Sequence, residues 1–207
     1  MTELLPLFLN VTGRSVVLVG GGRVATAKLQ QLLAAGATVT VVAPAVSESI
    51  KAQRHSAVRV VERGFEAHDL DNAWLVVAAA TPEVNRAIAV AAEERRLFVN
   101  AVDDPQNATA YLSGVVRRDG VTIAISTSGD APALTALLRE GLDALLPRNL
   151  STWIERARAE RVVWRRDAVP MEERKPRLLS ALNAIYRPSP ESAAGVPWLH
   201  APEDSWL

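Results

Sequence analysis

Cysteine is absent, which excludes disulfides, thiolate metal sites and thiol nucleophiles, and suits a reducing interior. Histidine is scarce: His55, His68 and His200 lie far apart, without helical i, i+4 spacing or a nearby acidic partner, so no histidine metal site is expected. Net charge is zero, 23 basic residues against 23 acidic, and gives no general field to attract nucleic acid or an anionic membrane. No apolar run approaches the roughly 18 residues of a membrane span. The opening MTELLPLFLN carries Glu3 and lacks a basic start or a small-residue cleavage site. No secretory leader is therefore expected, and the cytoplasm is the expected compartment.

What is present is a 49% apolar chain of 207 residues, enough for one full domain and a smaller partner. Runs of Val, Leu and Ala read as strands at 15–20, 38–43, 58–62, 74–79 and 98–101. Helical patterns at 24–35, 47–54 and 82–95 alternate with them, Pro82 standing in a first turn that the Thr81 hydroxyl is placed to cap. Strands that are apolar throughout belong to a sheet covered on both faces. The expected fold is thus α/β, a Rossmann-like doubly wound parallel sheet. From Tyr111 to Thr127 two β-type runs flank Arg117-Arg118-Asp119-Gly120, a hairpin that leaves the parallel series. Helices are expected at 131–146, 149–167 and 171–186, and the Pro- and Ser-rich stretch from Arg187 as a flexible tail.

Three segments carry chemistry. Gly20-Gly21-Gly22-Arg23-Val24-Ala25 is G-x-G-x-x-A between a strand and a helix: a tight turn, a backbone able to approach a pyrophosphate, and a small residue where helix meets strand. The acid that usually holds the adenosine ribose is missing, for the second strand ends in Ala43-Pro44. Between Thr38 and Ile50 there is also no basic residue for a 2′-phosphate, so NAD is favoured over NADP. The second segment, Asn100-Ala101-Val102-Asp103-Asp104-Pro105, sets two carboxylates where substrates lie in open α/β sheets. Either is a candidate base, and either serves equally well as a turn former before proline. Third, Ser126-Thr127-Ser128-Gly129-Asp130 opens a helix, as an N-cap or as a site for carboxylate groups. The basic residues between Glu155 and Arg177 read first as a solvated helix face.

Together, VGGGRVATAK, NAVD and ISTSGDAPALTALLRE resemble the precorrin-2 dehydrogenase family, which includes the N-terminal part of siroheme synthases and dehydrogenase/ferrochelatases. The resemblance covers roughly 5–147. It implies a homodimer with a Rossmann domain (1–110), a dimerisation region of hairpin and helix (111–147) and a helical C-terminal domain (148–187), before a tail at 188–207. It further implies oxidation of precorrin-2 to sirohydrochlorin with NAD, and in some members insertion of ferrous iron, which stays open here. Asp103 falls on the family's catalytic aspartate. The family's cofactor contacts fall on Gly22, Arg23, Val24, Pro44 and Ala45; Gly20 and Gly21 of the turn and Thr81 are further cofactor candidates, and Ser126, Thr127, Ser128 and Gly129 are the substrate candidates. No protein metal ligands are implied. No methyltransferase segment follows, so a separate enzyme is expected to supply precorrin-2. The competing expectation is a non-catalytic NAD-sensing regulatory domain, which gives no reason for NAVDDP and ISTSGDAPA to occur together.

Overall fold

The computed structural model describes residues 4–53 and 55–185. The expected tail with His200, together with Arg54 and Tyr186, lies outside them. Five strands, β1 (Ser15–Val19), β2 (Thr38–Val42), β3 (Val58–Val61), β4 (Leu75–Ala78) and β5 (Phe98–Ala101), form a parallel sheet in the order β3-β2-β1-β4-β5. That is the doubly wound arrangement, with its switch point between β1 and β4.

Strand alternation divides the core in two. Val16, Leu18, Val39, Val41 and Val77 pack on one face with Ala25, Leu29 and Leu32 of α1 (Arg23–Ala34) and Ile50 of α2 (Glu48–Lys51). On the other face Val17, Val19, Val76, Ala78 and Val99 meet Ile88, Ala91 and Ala92 of α3 (Pro82–Glu94). Because both faces are buried, a one-residue slip of β1 exchanges one core for the other, so register is strongly fixed.

Local chemistry moves several expected boundaries. The second helix is one short turn, Glu48–Lys51, rather than 47–54. Two 3-10 turns are added, Ala67–Leu70 and Pro105–Asn107. His68, expected without an acidic partner, has its Nδ1 3.2 Å from Glu66 Oε2; with neighbours two residues apart in an extended-to-turn chain, helical spacing was the wrong test. Asp69 receives the Arg63 guanidinium through two hydrogen bonds, 2.6 and 2.8 Å, and the Glu66 N–H at 2.9 Å. Those bonds hold its carboxyl below the usual carboxylate range. A depressed folded-state value stabilises the fold above the unfolded value, near 4, and the benefit is lost as pH falls through the folded one. Asp69→Asn should therefore lower the melting temperature by a few degrees at pH 7, and the gap from wild type should close towards pH 3. An equal gap at both pH values would sink this account.

The chain forms two compact units. One comprises the residues up to Gly114 together with Ile125–Leu138; the other comprises Val115–Ala124 and the chain from Arg139. Their boundary runs inside 111–147. The hairpin strands are β6 (Gly114–Arg118) and β7 (Val121–Ile125), so the turn is the pair Asp119-Gly120 and not the four residues from Arg117. Both have positive φ, 48° and 86°, as a type I′ turn requires, which lets Arg117 and Arg118 stay in the strand. Helix α4 (Pro132–Leu145) follows, then α5 (Leu150–Arg166) and α6 (Met171–Ile185). In the second unit Arg118 reaches the Leu146 carbonyl at 2.6 Å and Asp143 at 2.7 Å, while Leu150, Trp164, Val169 and Leu182 are buried. Of the basic residues of α5 and α6, Arg156 and Arg177 pair with Glu160 and Glu173, whereas Arg158, Arg161, Arg165 and Lys175 have no partner among the described residues.

Candidate functional site

All five sheet strands run the same way, so the segments after β1, β2, β4 and β5 emerge at one edge: the glycine turn, Pro44-Ala45, Ala79–Thr81 and Asp103.

The three glycines of the turn have different reasons to be glycine. Gly20 sits at φ 134°, donates its N–H to the Val42 carbonyl at 2.9 Å, and has no room for a Cβ against the Ala79 backbone. A Cβ on Gly21 would run into the Ala45 carbonyl, and the Gly21 carbonyl accepts the Ser47 N–H at 2.8 Å. Gly21, at the variable position between the two motif glycines, is thus held to glycine by the protein's own β2–α2 loop, a constraint that the motif does not state. Around Gly22 nothing lies within 4 Å of an added Cβ, which is the open side of the turn. Helix α1 begins there without a side-chain cap and without an acidic residue in its first turn. Amides left unpaired at a helix N-terminus suit a phosphate, so these residues fit a dinucleotide. Ala25 is fully buried beneath, as the small third position requires. Arg23, Val24, Pro44 and Ala45 are exposed around the turn.

Thr81 does not cap α3 with its hydroxyl. The Glu83 carboxyl is held below its ordinary range first by its own backbone N–H and then by the Thr81 hydroxyl. The turn is secured by a residue that sequence reasoning missed. Asn85, buried, accepts the Ala80 N–H on Oδ1 at 3.2 Å and donates its own N–H to the Thr81 carbonyl at 2.9 Å. An asparagine in register with Ile88 and Ala92 on an otherwise apolar helix face was the available signal.

After β5, the Val102 N–H still pairs with the Ala78 carbonyl at 2.9 Å, which carries sheet order to the residue before Asp103. The two aspartates then diverge. Asp104 is the turn former: its carboxylate accepts Asn107 Nδ2–H at 2.8 Å and its carbonyl the Asn107 N–H at 3.2 Å. Asp103 is exposed, sits in the left-handed region at φ 55°, and its carboxylate accepts no hydrogen bond among the described residues. Below it on β5, buried Asn100 donates to the Ala110 carbonyl at 3.0 Å while its Oδ1 has no partner.

The turn before α4 is held largely by its own hydroxyls. Ser126 Oγ accepts the Ser128 N–H at 3.2 Å, and Thr127 Oγ1 accepts the Ala131 N–H at 3.3 Å and pairs with Thr135 Oγ1 at 2.9 Å. Capping is thus one use of the segment. Ser128 and Gly129 both have positive φ, 55° and 88°. A Cβ on Gly129 would stand 3.8 Å from Tyr111 Cε1 and 3.9 Å from Pro105 Cβ. The turn therefore lies beside both Tyr111 and Pro105 of the segment that follows Asp103, a pairing that no local pattern announces.

A family model described as putative NAD(P)-binding matches residues 7–114, over half the chain, and one described as the central part of sirohaem biosynthesis proteins matches 118–145. Among solved structures, SirC, a precorrin-2 dehydrogenase, superposes with a TM-score of 0.68 at 28% identity, covering 90% of this chain and 93% of that one. The chain belongs to the precorrin-2 dehydrogenase and siroheme synthase family. Siroheme synthase 2 of Cronobacter sakazakii is 43% identical over 148 residues, which are 70% of this chain and 32% of that protein. Siroheme synthase 1 of Pectobacterium atrosepticum is 40% identical over 174 residues, 82% of this chain and 36% of that protein. The chain thus spans about a third of the length of the siroheme synthases it matches. As a member of this family it carries an NAD(P)-binding domain whose second strand is followed by Ala43-Pro44 in place of the usual acid. No helix of the described residues is long and apolar enough to cross a membrane.

Proposed function

We propose that this chain oxidises precorrin-2 to sirohydrochlorin with NAD, as a step of siroheme biosynthesis. The observation that carries the reading is the meeting, at one edge of one sheet, of an uncapped glycine turn and the exposed, unbonded carboxylate of Asp103. The likeness to SirC along nine-tenths of both chains supports the same substrate.

When bound, NAD supplies the hydride acceptor, so the protein's own chemical task is the accompanying proton. Asp103 takes it, being the carboxylate not spent on its own turn. The backbone of Gly20, Gly21, Gly22, Arg23 and Val24 would hold the pyrophosphate, with Pro44, Ala45 and Thr81 flanking the adenosine and ribose. The lack of a cation from Thr38 to Ile50 favours NAD over NADP. Toward a substrate rich in carboxylates, the 126–129 turn offers the Ser126 and Ser128 hydroxyl protons and the Gly129 N–H, while Thr127, whose proton goes to Thr135 Oγ1, shapes the turn. Leu134, Leu137, Leu138 and Leu145 leave an exposed apolar stripe on α4, 43–75% accessible, which we assign to a homodimer contact. A cysteine-free chain suits the cytoplasm, the compartment this reading assigns.

The test is an anaerobic absorbance assay with enzymatically made precorrin-2 and NAD. Sirohydrochlorin formed in step with NADH is the expected result. Tight NAD binding without oxidation would replace the reading with an NAD-sensing domain. A second arm adds ferrous iron to isolated sirohydrochlorin, and acceleration above a no-protein control would add chelation to the activity.

A further inference from the structure

Helix α1 holds a lysine that the glycine turn does not explain. Ala25, Leu29 and Leu32 define its buried face, and at about 100° per residue Thr26 falls on one flank and Lys28 on the other. The Thr26 flank is fixed by its hydroxyl, 3.0 Å from Ser47 Oγ in the loop after β2. The Lys28 flank therefore faces the opposite half of the sheet, β4 and β5. Val102, beside Asp103, packs against the core cluster to which Ala25 and Leu29 belong, so the end of β5 and helix α1 share one face of the sheet.

The ammonium is half-buried there. Burial pulls its pKa below the usual lysine range, and the charge of Asp103 opposes that shift. The other ionisable groups of the surrounding elements are Arg23 at the head of α1, Glu83 at the start of α3, Asp104, Tyr111 and Asp130; β4 carries none. Among them Asp103 alone acts on Lys28 appreciably. No ion pair within 4 Å joins the two, so the attraction acts through space. A lone half-buried ammonium is costly, and a purely structural lysine would extend its head to water.

We propose that Lys28 is a positioning residue for the oxidation, its charge on the β4–β5 flank of α1 holding the Asp103 carboxylate in place to receive the proton. The inference rests on the proposed role of Asp103. Lys28→Met should lower kcat about tenfold, the scale of a partly screened charge contact, while KM for NAD and the melting temperature stay close to wild type. Lys28→Arg should recover most of the rate. Because the lysine titrates below its usual value and arginine does not titrate, the alkaline limb of the kcat profile should move to higher pH in Lys28→Arg.

The deciding comparison is a double-mutant cycle with Asp103→Asn. Lys28→Met placed on Asp103→Asn should cost nothing further. Full additivity of the two losses, or an alkaline limb unmoved in Lys28→Arg, would overturn the proposal while leaving the dehydrogenase reading intact. Wild-type rates in Asp103→Asn alone would remove the assignment of Asp103, and the proposal with it.

Discussion

Asp103→Asn is expected to lower kcat for precorrin-2 oxidation by roughly 10²–10⁴-fold, the contribution typical of a general base, with NAD affinity nearly unchanged. The substitution keeps the shape of the side chain and tolerates the left-handed backbone at φ 55°, where asparagine is among the residues best accepted. It removes no hydrogen bond, since the Asp103 carboxylate accepts none among the described residues. Asp104→Asn is the matching control. That carboxylate holds Asn107 Nδ2 at 2.8 Å in the turn of Pro105–Asn107; asparagine keeps an oxygen for this bond but not the charge that strengthens it, so thermal stability should fall slightly and kcat no more than severalfold. Steady-state rates measured anaerobically, with NAD affinity from nicotinamide fluorescence on the reduced form, separate the two. If Asp104→Asn abolished turnover while Asp103→Asn kept it, the roles would be reversed.

That contrast also marks what the sequence makes legible. The sheet could be read because its strands, buried on both faces, are apolar along their whole length, and because right-handed crossovers leave few orders for five parallel strands. The glycine turn was legible in position, but the reason for Gly21 was not, because the Ala45 carbonyl that excludes a Cβ comes from 24 positions further along the chain. NAVDDP supplied two carboxylates and no means of choosing between them. The choice follows from Asn107, whose side chain occupies one and leaves the other. Thr81 reads as a cap until Glu83 takes its hydroxyl. Asn85, Tyr111 and Lys28 carry no motif at all, since each acts through a neighbour that only the folded sheet brings close.

Gly21→Ala is expected to disrupt the site through the protein itself. Its Cβ would enter the Ala45 carbonyl and lie 2.9 Å from Val46 Cα, both backbone atoms that cannot rotate away. Relief requires the β1–α1 turn and the β2–α2 loop to part, which strains the bond from the Ser47 N–H to the Gly21 carbonyl at 2.8 Å and shifts the first amides of α1. Overpacking of this kind costs about 1–3 kcal/mol, so the melting temperature should fall by several degrees even without cofactor. Gly22→Ala provides the complementary case. No atom of the protein lies within 4 Å of the added Cβ, so stability without NAD should barely change. The methyl group instead fills the open side of the turn, where we place the pyrophosphate. Bound ligand stabilises by RT ln(1 + [L]/Kd), about 2.7 kcal/mol at a hundredfold excess over Kd, and Gly22→Ala should lose most of that increment. Thermal unfolding of both variants with and without NAD reads the two effects apart: Gly21→Ala starts low, whereas Gly22→Ala starts near wild type and fails to rise. A full NAD-dependent rise in Gly22→Ala would mean that the dinucleotide does not approach the turn from its open side, and the pyrophosphate would have to be moved away from the α1 terminus.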